Sequence, residues 1–315
     1  MEVEDLLADC LRDARGNSLG TVPVGRDGPA YAAARRTFLT AGLSALSAAV
    51  PGTGWVQVNL APGPAAWRPT YRRTADTARD LVASGTVGSF FFMHKPPGLR
   101  VRFEAREPEH GLLRTELLRR FQSLDGQSAA PVCAVYEPET YLFGGPRSMR
   151  LVHELFTADS LAWLDHHTGD DAGALADWRL SLALLGELLD GLGVVGWEHR
   201  GVWEVVRDDT GRALGTGLGE DADRAAAGIR DAWHAGPRTL LAPWSAARRS
   251  SVEAHARAVR RGADRWRTEY FESGGAVVGP RRAAAYYAIF HWNRGRLSLA
   301  RQSLLTHALA DDGRR

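Results

Sequence analysis

The chain has 315 residues, of which 39 are basic and 37 acidic, and its net charge is +2. Apolar residues make up 44% and charged residues 24%, which is typical of a folded globular protein and excludes wholesale disorder. A net charge this small gives no overall positive field that would attract nucleic acid, so we expect no nucleic-acid partner unless a local basic patch provides a site.

Lys95 is the only lysine, and all other basic residues except histidines are arginines. Codon bias explains this usage more simply than an acidic peptide ligand does. Cys10 and Cys133 lie far apart, which favours neither a disulfide framework nor a zinc site and fits a reducing cytoplasm. The acidic first residues do not resemble a secretory signal. The uncharged stretch from Thr37 to Trp67 is interrupted by proline and glycine, so we expect a soluble cytoplasmic protein without a membrane partner.

The first half of the chain alternates between helical and strand patterns. Helical spacing ends at Pro51-Gly52, and alternation of apolar and polar residues predicts a half-buried strand that starts at Trp55. Two apolar strands flank the turn from Lys95 to Gly98, which is typical of a hairpin. The predicted elements are helices over 30–50, 69–84 and 110–124, and strands over 55–62, on both sides of 95–98, and over 131–139.

The second half is mostly helical. Residues 194–208 have a mixed, strand-like pattern between helices, and residues 281–310 predict one long helix only mildly disturbed by Gly295. The other predicted helices span 177–193, 221–235 and 251–273. This order predicts an α+β fold, a mixed sheet from N-terminal αβ segments with a helical C-terminal half. We expect one domain over 1–315 with a helical N-terminal extension over 1–52.

Known cofactor and nucleophile motifs are missing: the sequence has no GxGxxG after a strand, no P-loop, no HExxH and no nucleophile elbow. His166 and His167 lie beside acidic residues, but adjacent histidines point in different directions, so we interpret them as a solvated turn. We therefore expect no cofactor and no metal.

The predicted strand after the hairpin places Arg100 and Arg102 on one face. Two guanidinium groups on a half-buried sheet predict a site for an anion or for peptide carbonyl oxygens. The alternative is a solvent-facing edge paired with carboxylates such as Glu104, and the two interpretations have similar weight.

Residues 136–145 combine aromatic, acidic and glycine residues. Gly144-Gly145 indicates a close backbone approach or a positive φ. Tyr136 is a candidate for substrate binding. Glu139 is a candidate for proton transfer or binding, although a glutamate at a strand end more often pairs with an arginine.

The predicted last helix carries a polar stripe. Tyr287, His291, Arg294, Ser298 and Arg301 recur at helical spacing. Imidazole and hydroxyl groups on an aromatic helix suit proton transfer in a pocket, although the stripe could be a solvated helix face. The candidate catalytic residues are Tyr287, His291, Arg294 and Ser298, and the additional binding candidates on this helix are Tyr286, Phe290, Trp292 and Asn293.

Several segments, in order, resemble the thiopeptide-type bacteriocin biosynthesis domain, which performs glutamate elimination in class I lantibiotic dehydratases. The similar segments are FFFMHKPPGLRVRFEA, YEPETYLFGG, LFTADS and HWNR. The resemblance implies the fold of that elimination domain.

Three positions depart from the eliminating domains. Those domains carry an arginine before the aromatic-Gly-Gly, where this chain has Leu142. Their catalytic histidine falls on Ile289, two residues before His291, and their histidine before LRxR is Gly98 here.

A diverged relative fits these departures better: the thiopeptide pyridine synthases, which resemble stand-alone elimination domains. This resemblance implies a cofactor-independent enzyme that joins two dehydroalanines of a thiazole-containing precursor peptide by formal aza-[4+2] cycloaddition. Loss of water and of the leader peptide then closes the macrocycle. The modified precursor, leader plus core, is the expected partner, together with dehydratase subunits. The alternatives are a split glutamate-elimination enzyme and a non-catalytic leader-binding subunit.

Overall fold

The computed structural model describes residues 31–35, 37–38, 54–96, 98–106, 110–170, 174–215 and 219–310. The chain divides into two units, Met1–Gly54 and Trp55–Arg315. Residues 31–35 and 37–38 of the first unit are helical, as predicted for 30–50. The rest of that helix, most of the predicted extension over 1–52 and Cys10 lie outside the described residues.

The second unit contains a four-stranded antiparallel sheet in the order β2-β3-β1-β4. Its strands are β1 (Trp55–Pro62), β2 (Val87–Lys95), β3 (Gly98–Ala105) and β4 (Gln127–Ala134). The predicted strand over 55–62 and the hairpin between β2 and β3 are confirmed. The strand predicted over 131–139 starts earlier, at Gln127, because its pairing with β1 extends to Pro62.

The two faces of this sheet differ in polarity because successive strand residues alternate. Val58 pairs with Val101 on the face that we call the apolar face, where Phe92 packs against Tyr71 of helix α1 (Trp67–Ala83). The opposite face, here the arginine face, carries Arg100 and Arg102. Helix α2 (His110–Gln122) contacts β1 and β4.

The remainder of the second unit is helical, which confirms the α+β fold. None of the described helices is long and apolar enough to cross a membrane. These helices are α3 (Pro146–Thr168), α4 (Ala174–Gly191), α5 (Glu198–Thr210), α6 (Glu220–His234), α7 (Pro237–Leu241), α8 (Ala246–Trp266), α9 (Pro280–Arg294) and α10 (Leu299–Ala310).

Two secondary-structure predictions for this half are wrong. The strand-like segment over 194–208 forms helix α5, because Val202, Trp203 and Val206 make one buried helical stripe. The single helix over 281–310 is divided into α9 and α10. The chain turns at Gly295 and at Arg296, whose φ is 54°.

The prediction of a solvated turn at His166-His167 is also wrong. Both residues lie in the last turn of α3. His166 is buried, and its Nε2 lies 2.7 Å from a carboxylate oxygen of Asp177. Within the described ranges, no three His, Cys, Asp or Glu side chains group as metal ligands.

Candidate active site

The arginine face places a cation over aromatic rings. Arg102 on β3 pairs with Gln57 on β1, and its Nε donates to the Gln57 Oε1 at 2.7 Å. Its guanidinium carbon lies 4.9 Å from the Phe91 ring centroid and 4.6 Å from that of Tyr136. Arg100, two residues earlier, is half-buried on the same face. The strand register therefore confirms that the two arginines share a face.

Arg102 remains positively charged although only 8% of it is exposed. Burial lowers the pKa of Arg102 to about 10, and the nearby Arg100 lowers it too, whereas Glu139 raises it. No carboxylate of a described residue forms a salt bridge with Arg100 or Arg102. The two guanidinium groups are thus available to carbonyl or carboxylate oxygens of a ligand.

A third guanidinium group, that of Arg294 on α9, reaches the same region. Its Nε donates to Asp159 Oδ2 at 2.6 Å, and its Nη1 lies 3.7 Å from the sulfur of Met93. Met93 pairs with Arg100 across β2 and β3. The Arg294 Nη2 is buried and has no hydrogen-bond partner among the described residues. The guanidinium is fully enclosed, with its carbon 4.3 Å from the Phe156 ring centroid, so it acts on the arginine face through its charge.

His291, one turn before Arg294, is enclosed by protein groups. Its Nδ1 lies 2.7 Å from Asp159 Oδ1 and 3.2 Å from the indole nitrogen of Trp163, and its Nε2 lies 3.0 Å from the hydroxyl of Ser181. Burial alone would raise the pKa of Asp159, but His291 and Arg294 together hold that pKa below its usual value. Asp159 therefore connects the imidazole to the guanidinium, and the imidazole has no free nitrogen.

Tyr287 lies behind the guanidinium of Arg294. Its hydroxyl is buried, and its only described acceptor, the Leu155 carbonyl, is 3.4 Å away. Burial raises the pKa of Tyr287 well above its usual value, and Asp159 raises it further. The phenol therefore stays neutral.

Other candidates lie apart from the arginine face. Tyr286 donates its hydroxyl to Asp209. Trp292 donates its indole N–H to Ser181 at 2.9 Å. Phe290 stacks on Phe156 with ring centroids 5.3 Å apart.

The last two candidates lie at the end of α9 and in the turn that follows it. The carbonyl of Asn293 accepts a hydrogen bond from His94 Nδ1 at 2.9 Å. Ser298 is exposed before α10, where its Oγ accepts from the Arg301 N–H at 3.4 Å. The predicted continuous stripe is wrong beyond Arg294, because the helix ends there.

The structure adds residues that the sequence analysis did not select. Asp159 stands in the LFTADS segment, which is the one signal that could have identified it. Gln57 is a polar residue in an apolar strand. His153 and Ser181 lie within helices without a distinguishing pattern, and their roles depend on tertiary contacts.

The three positions that depart from the eliminating domains have structural roles here. Gly98 begins β3 against the backbone carbonyl of Leu60, which leaves no room for a Cβ atom. Leu142 and Ile289 are partly buried and pack against the hydrophobic core.

Residues 55–311, which are more than half of the chain, match the family described as lantibiotic biosynthesis dehydratase C-term. The chain belongs to this family. No curated protein matches its sequence. A solved structure, the tRNA-dependent lantibiotic dehydratase MibB from Microbispora sp. 107891, is similar with a TM-score of 0.61 and 18% identity. The match covers 82% of this chain and 28% of the MibB chain, so the similarity shows a shared fold and the chain spans about a quarter of MibB.

Proposed function

We propose that this member of the dehydratase C-terminal family is a leader-peptide-dependent pyridine synthase that acts on a dehydrated, thiazole-containing precursor peptide. Family membership supports a role in processing ribosomally made peptides. The observation that carries the finer proposal is the arginine face, where Arg102 lies over the rings of Phe91 and Tyr136 and Arg100 shares its face, while the imidazole of His291 is enclosed.

The reaction is mainly a problem of positioning. One dehydroalanine and its neighbouring amide, as the imidic tautomer, form a four-atom azadiene, and the second dehydroalanine supplies two carbons. Two carbon–carbon bonds close the ring, and loss of water and of the leader as an amide makes it aromatic. Holding both groups of one peptide in contact removes much of the entropic barrier.

The arginines suit this task because they donate hydrogen bonds in fixed directions. We propose that Arg102 holds an amide carbonyl oxygen, that Arg100 binds the peptide nearer to solvent, and that the fully buried Arg294 acts on the site through its positive charge. Glu139 then orients a substrate N–H. Tyr287 and His291 act through Arg294, since both are buried against it or against its carboxylate partner.

Glutamate elimination is the alternative that family membership favours. It requires a base that removes an α-proton beside the glutamate-binding arginines. His291, which the sequence suggests as a displaced base, has both ring nitrogens engaged, and Leu142 and Ile289 replace the residues that the eliminating domains use. These features support the cyclase over the eliminase.

The test is mass spectrometry of a leader-bearing thiazole peptide with two dehydroalanines, incubated with purified protein and no cofactor. The expected products are the released leader, as a C-terminal amide, and a pyridine macrocycle. An unchanged peptide contradicts the proposal. Glutamate loss from a parallel glutamylated peptide would then identify an eliminase, and co-purification without reaction would identify a binding subunit.

A further inference from the structure

Tyr136 and His153 form a hydrogen-bonded pair beside Arg102. The Tyr136 hydroxyl lies 2.8 Å from His153 Nε2, and both side chains are almost fully buried. The Trp55 ring packs against both of them, at 5.2 Å from Tyr136 and 4.4 Å from His153. Phe91 stacks on His153 at 5.7 Å, so packing fixes the geometry of the pair.

The protonation states of the pair follow from its surroundings. Burial and, to a smaller extent, the charge of Arg102 lower the pKa of His153 to about 3. Burial also raises the pKa of Tyr136 above its usual value, although Arg102 opposes this. The imidazole is therefore neutral and the phenol keeps its proton, and the imidazole tautomer determines which of the two donates the hydrogen bond.

The same phenol adjoins the cation that is available to substrate. Only Gln57, among the described residues, accepts a hydrogen bond from Arg102. The Arg102 guanidinium carbon is 4.6 Å from the Tyr136 ring centroid. An amide whose oxygen binds Arg102 therefore comes close to the Tyr136 side chain.

We infer that Tyr136 and His153 form the proton relay of this site, with Tyr136 in contact with the reacting amide. The inference rests on the proposed pyridine synthase function. The phenol oxygen takes the proton of the amide N–H while the phenol gives its own proton to the amide oxygen, so that the imidic tautomer forms. His153 Nε2 holds the phenol oxygen in place during this exchange. The N–H bond breaks, and the negative charge that develops on the amide oxygen is stabilised by Arg102. After ring closure Tyr136 gives a proton to the hydroxyl formed at this oxygen, which leaves as water, and the phenol regains a proton from a ring carbon.

A second tyrosine–histidine pair in the molecule provides a matched control. The Tyr71 hydroxyl lies 2.7 Å from His94 Nε2, and His94 Nδ1 donates to the Asn293 carbonyl. Tyr71 and His94 belong to the apolar face, opposite to Arg102. Tyr71→Phe thus removes a similar buried hydroxyl from the other side of the sheet.

The experiment compares the wild-type protein with the variants Tyr136→Phe, His153→Gln and Tyr71→Phe. For each protein, it measures the single-turnover rate of cyclisation of the bis-dehydroalanine peptide, the Kd for that peptide and the Tm. The relay predicts that Tyr136→Phe and His153→Gln lower the cyclisation rate about a hundredfold. Their peptide Kd should stay within about twofold of wild type, since the relay acts in the transition state. Tyr71→Phe should match the wild-type rate.

Wild type should also react more slowly in D2O, and Tyr136→Phe should lose part of this isotope effect. The relay is overturned if Tyr136→Phe reacts as fast as Tyr71→Phe. It is also overturned if the rate of Tyr136→Phe falls in proportion to its peptide affinity, because Tyr136 would then only position the peptide. An inactive wild type overturns the proposed function itself, and the relay with it, so the two failures are distinguishable.

Discussion

Asp159 on α3 and Arg294 on α9 form an ion pair that is buried at both ends, with the carboxylate Oδ2 2.6 Å from the guanidinium Nε. The other carboxylate oxygen binds His291. Since Arg294 is the guanidinium group of the candidate site that comes from a helix, Asp159 determines where its charge lies.

Asp159→Asn should destabilise the protein by about 3–5 kcal/mol, because it leaves the Arg294 cation buried without its counter-charge. Chemical denaturation measures the change as a lower free energy of unfolding. Asp221→Asn is the control, since it breaks an exposed salt bridge to Arg224 and should leave the unfolding curve unchanged. Equal midpoints for both variants would contradict the role given to Asp159.

The sheet was predictable from local signals. Alternation in β1 and the Pro-Gly turn between β2 and β3 are properties of neighbouring residues, and the structure places these strands within a residue or two of the prediction. The division between α9 and α10 was not predictable. Helix ends usually show a glycine at the positive-φ position, whereas here Arg296 occupies it. Gly295 is small for another reason: its Cβ would lie 2.5 Å from the Trp163 ring.

The candidate site was predictable only in part. The shared face of Arg100 and Arg102 follows from strand periodicity alone. The partners of the helical residues do not, because Asp159 and Ser181 are more than a hundred positions from His291 and meet it only through packing. Hence the sequence suggested an accessible imidazole where the fold builds an enclosed one.

The glycine pair before α3 gives a second prediction. Gly145 has φ 105° and ψ 177°, a conformation essentially confined to glycine, and its Cβ would meet nothing. Gly145→Ala should therefore cost about 1–3 kcal/mol through backbone strain alone. Gly144→Ala should cost more, because its Cβ would overlap the Tyr270 hydroxyl that bonds to the Gly144 carbonyl at 3.0 Å.

Thermal unfolding of the two variants measures this difference. The Gly144→Ala protein should have the lower Tm. The reverse order would mean that Tyr270 moves aside without loss, and that the close approach at Gly144 contributes nothing to stability.

Acid should unfold the protein through its buried histidines. Burial lowers the pKa to about 3 for His94 and His153, and to about 4 for His167, from 6.5. Below pH 6.5 the unfolded chain takes up a proton on each of them, while the folded chain does not until pH nears 4. The free energy of unfolding should thus fall as pH falls, by up to roughly 4 kcal/mol per pH unit for the three together.

Denaturant titrations between pH 7 and 5 measure this slope. His153→Gln removes one of the three titrating groups, so it should reduce the slope by about a third. A stability that is constant over this range would show that the histidines take up protons in the folded protein.

The last prediction concerns peptide binding by the arginine face. Hydrogen bonds from a charged donor contribute about 1.5–3 kcal/mol each. Arg102→Ala should therefore weaken the affinity for the leader-bearing peptide about tenfold or more, and Arg100→Ala should weaken it by less, because that side chain is only half-buried. Calorimetric titration gives the Kd of each variant. Arg73→Ala is the matched control, since Arg73 is exposed on α1, the helix that packs on the apolar face. Equal losses of affinity in Arg73→Ala and Arg102→Ala would indicate general charge attraction, whereas a loss confined to the arginine face locates the peptide there.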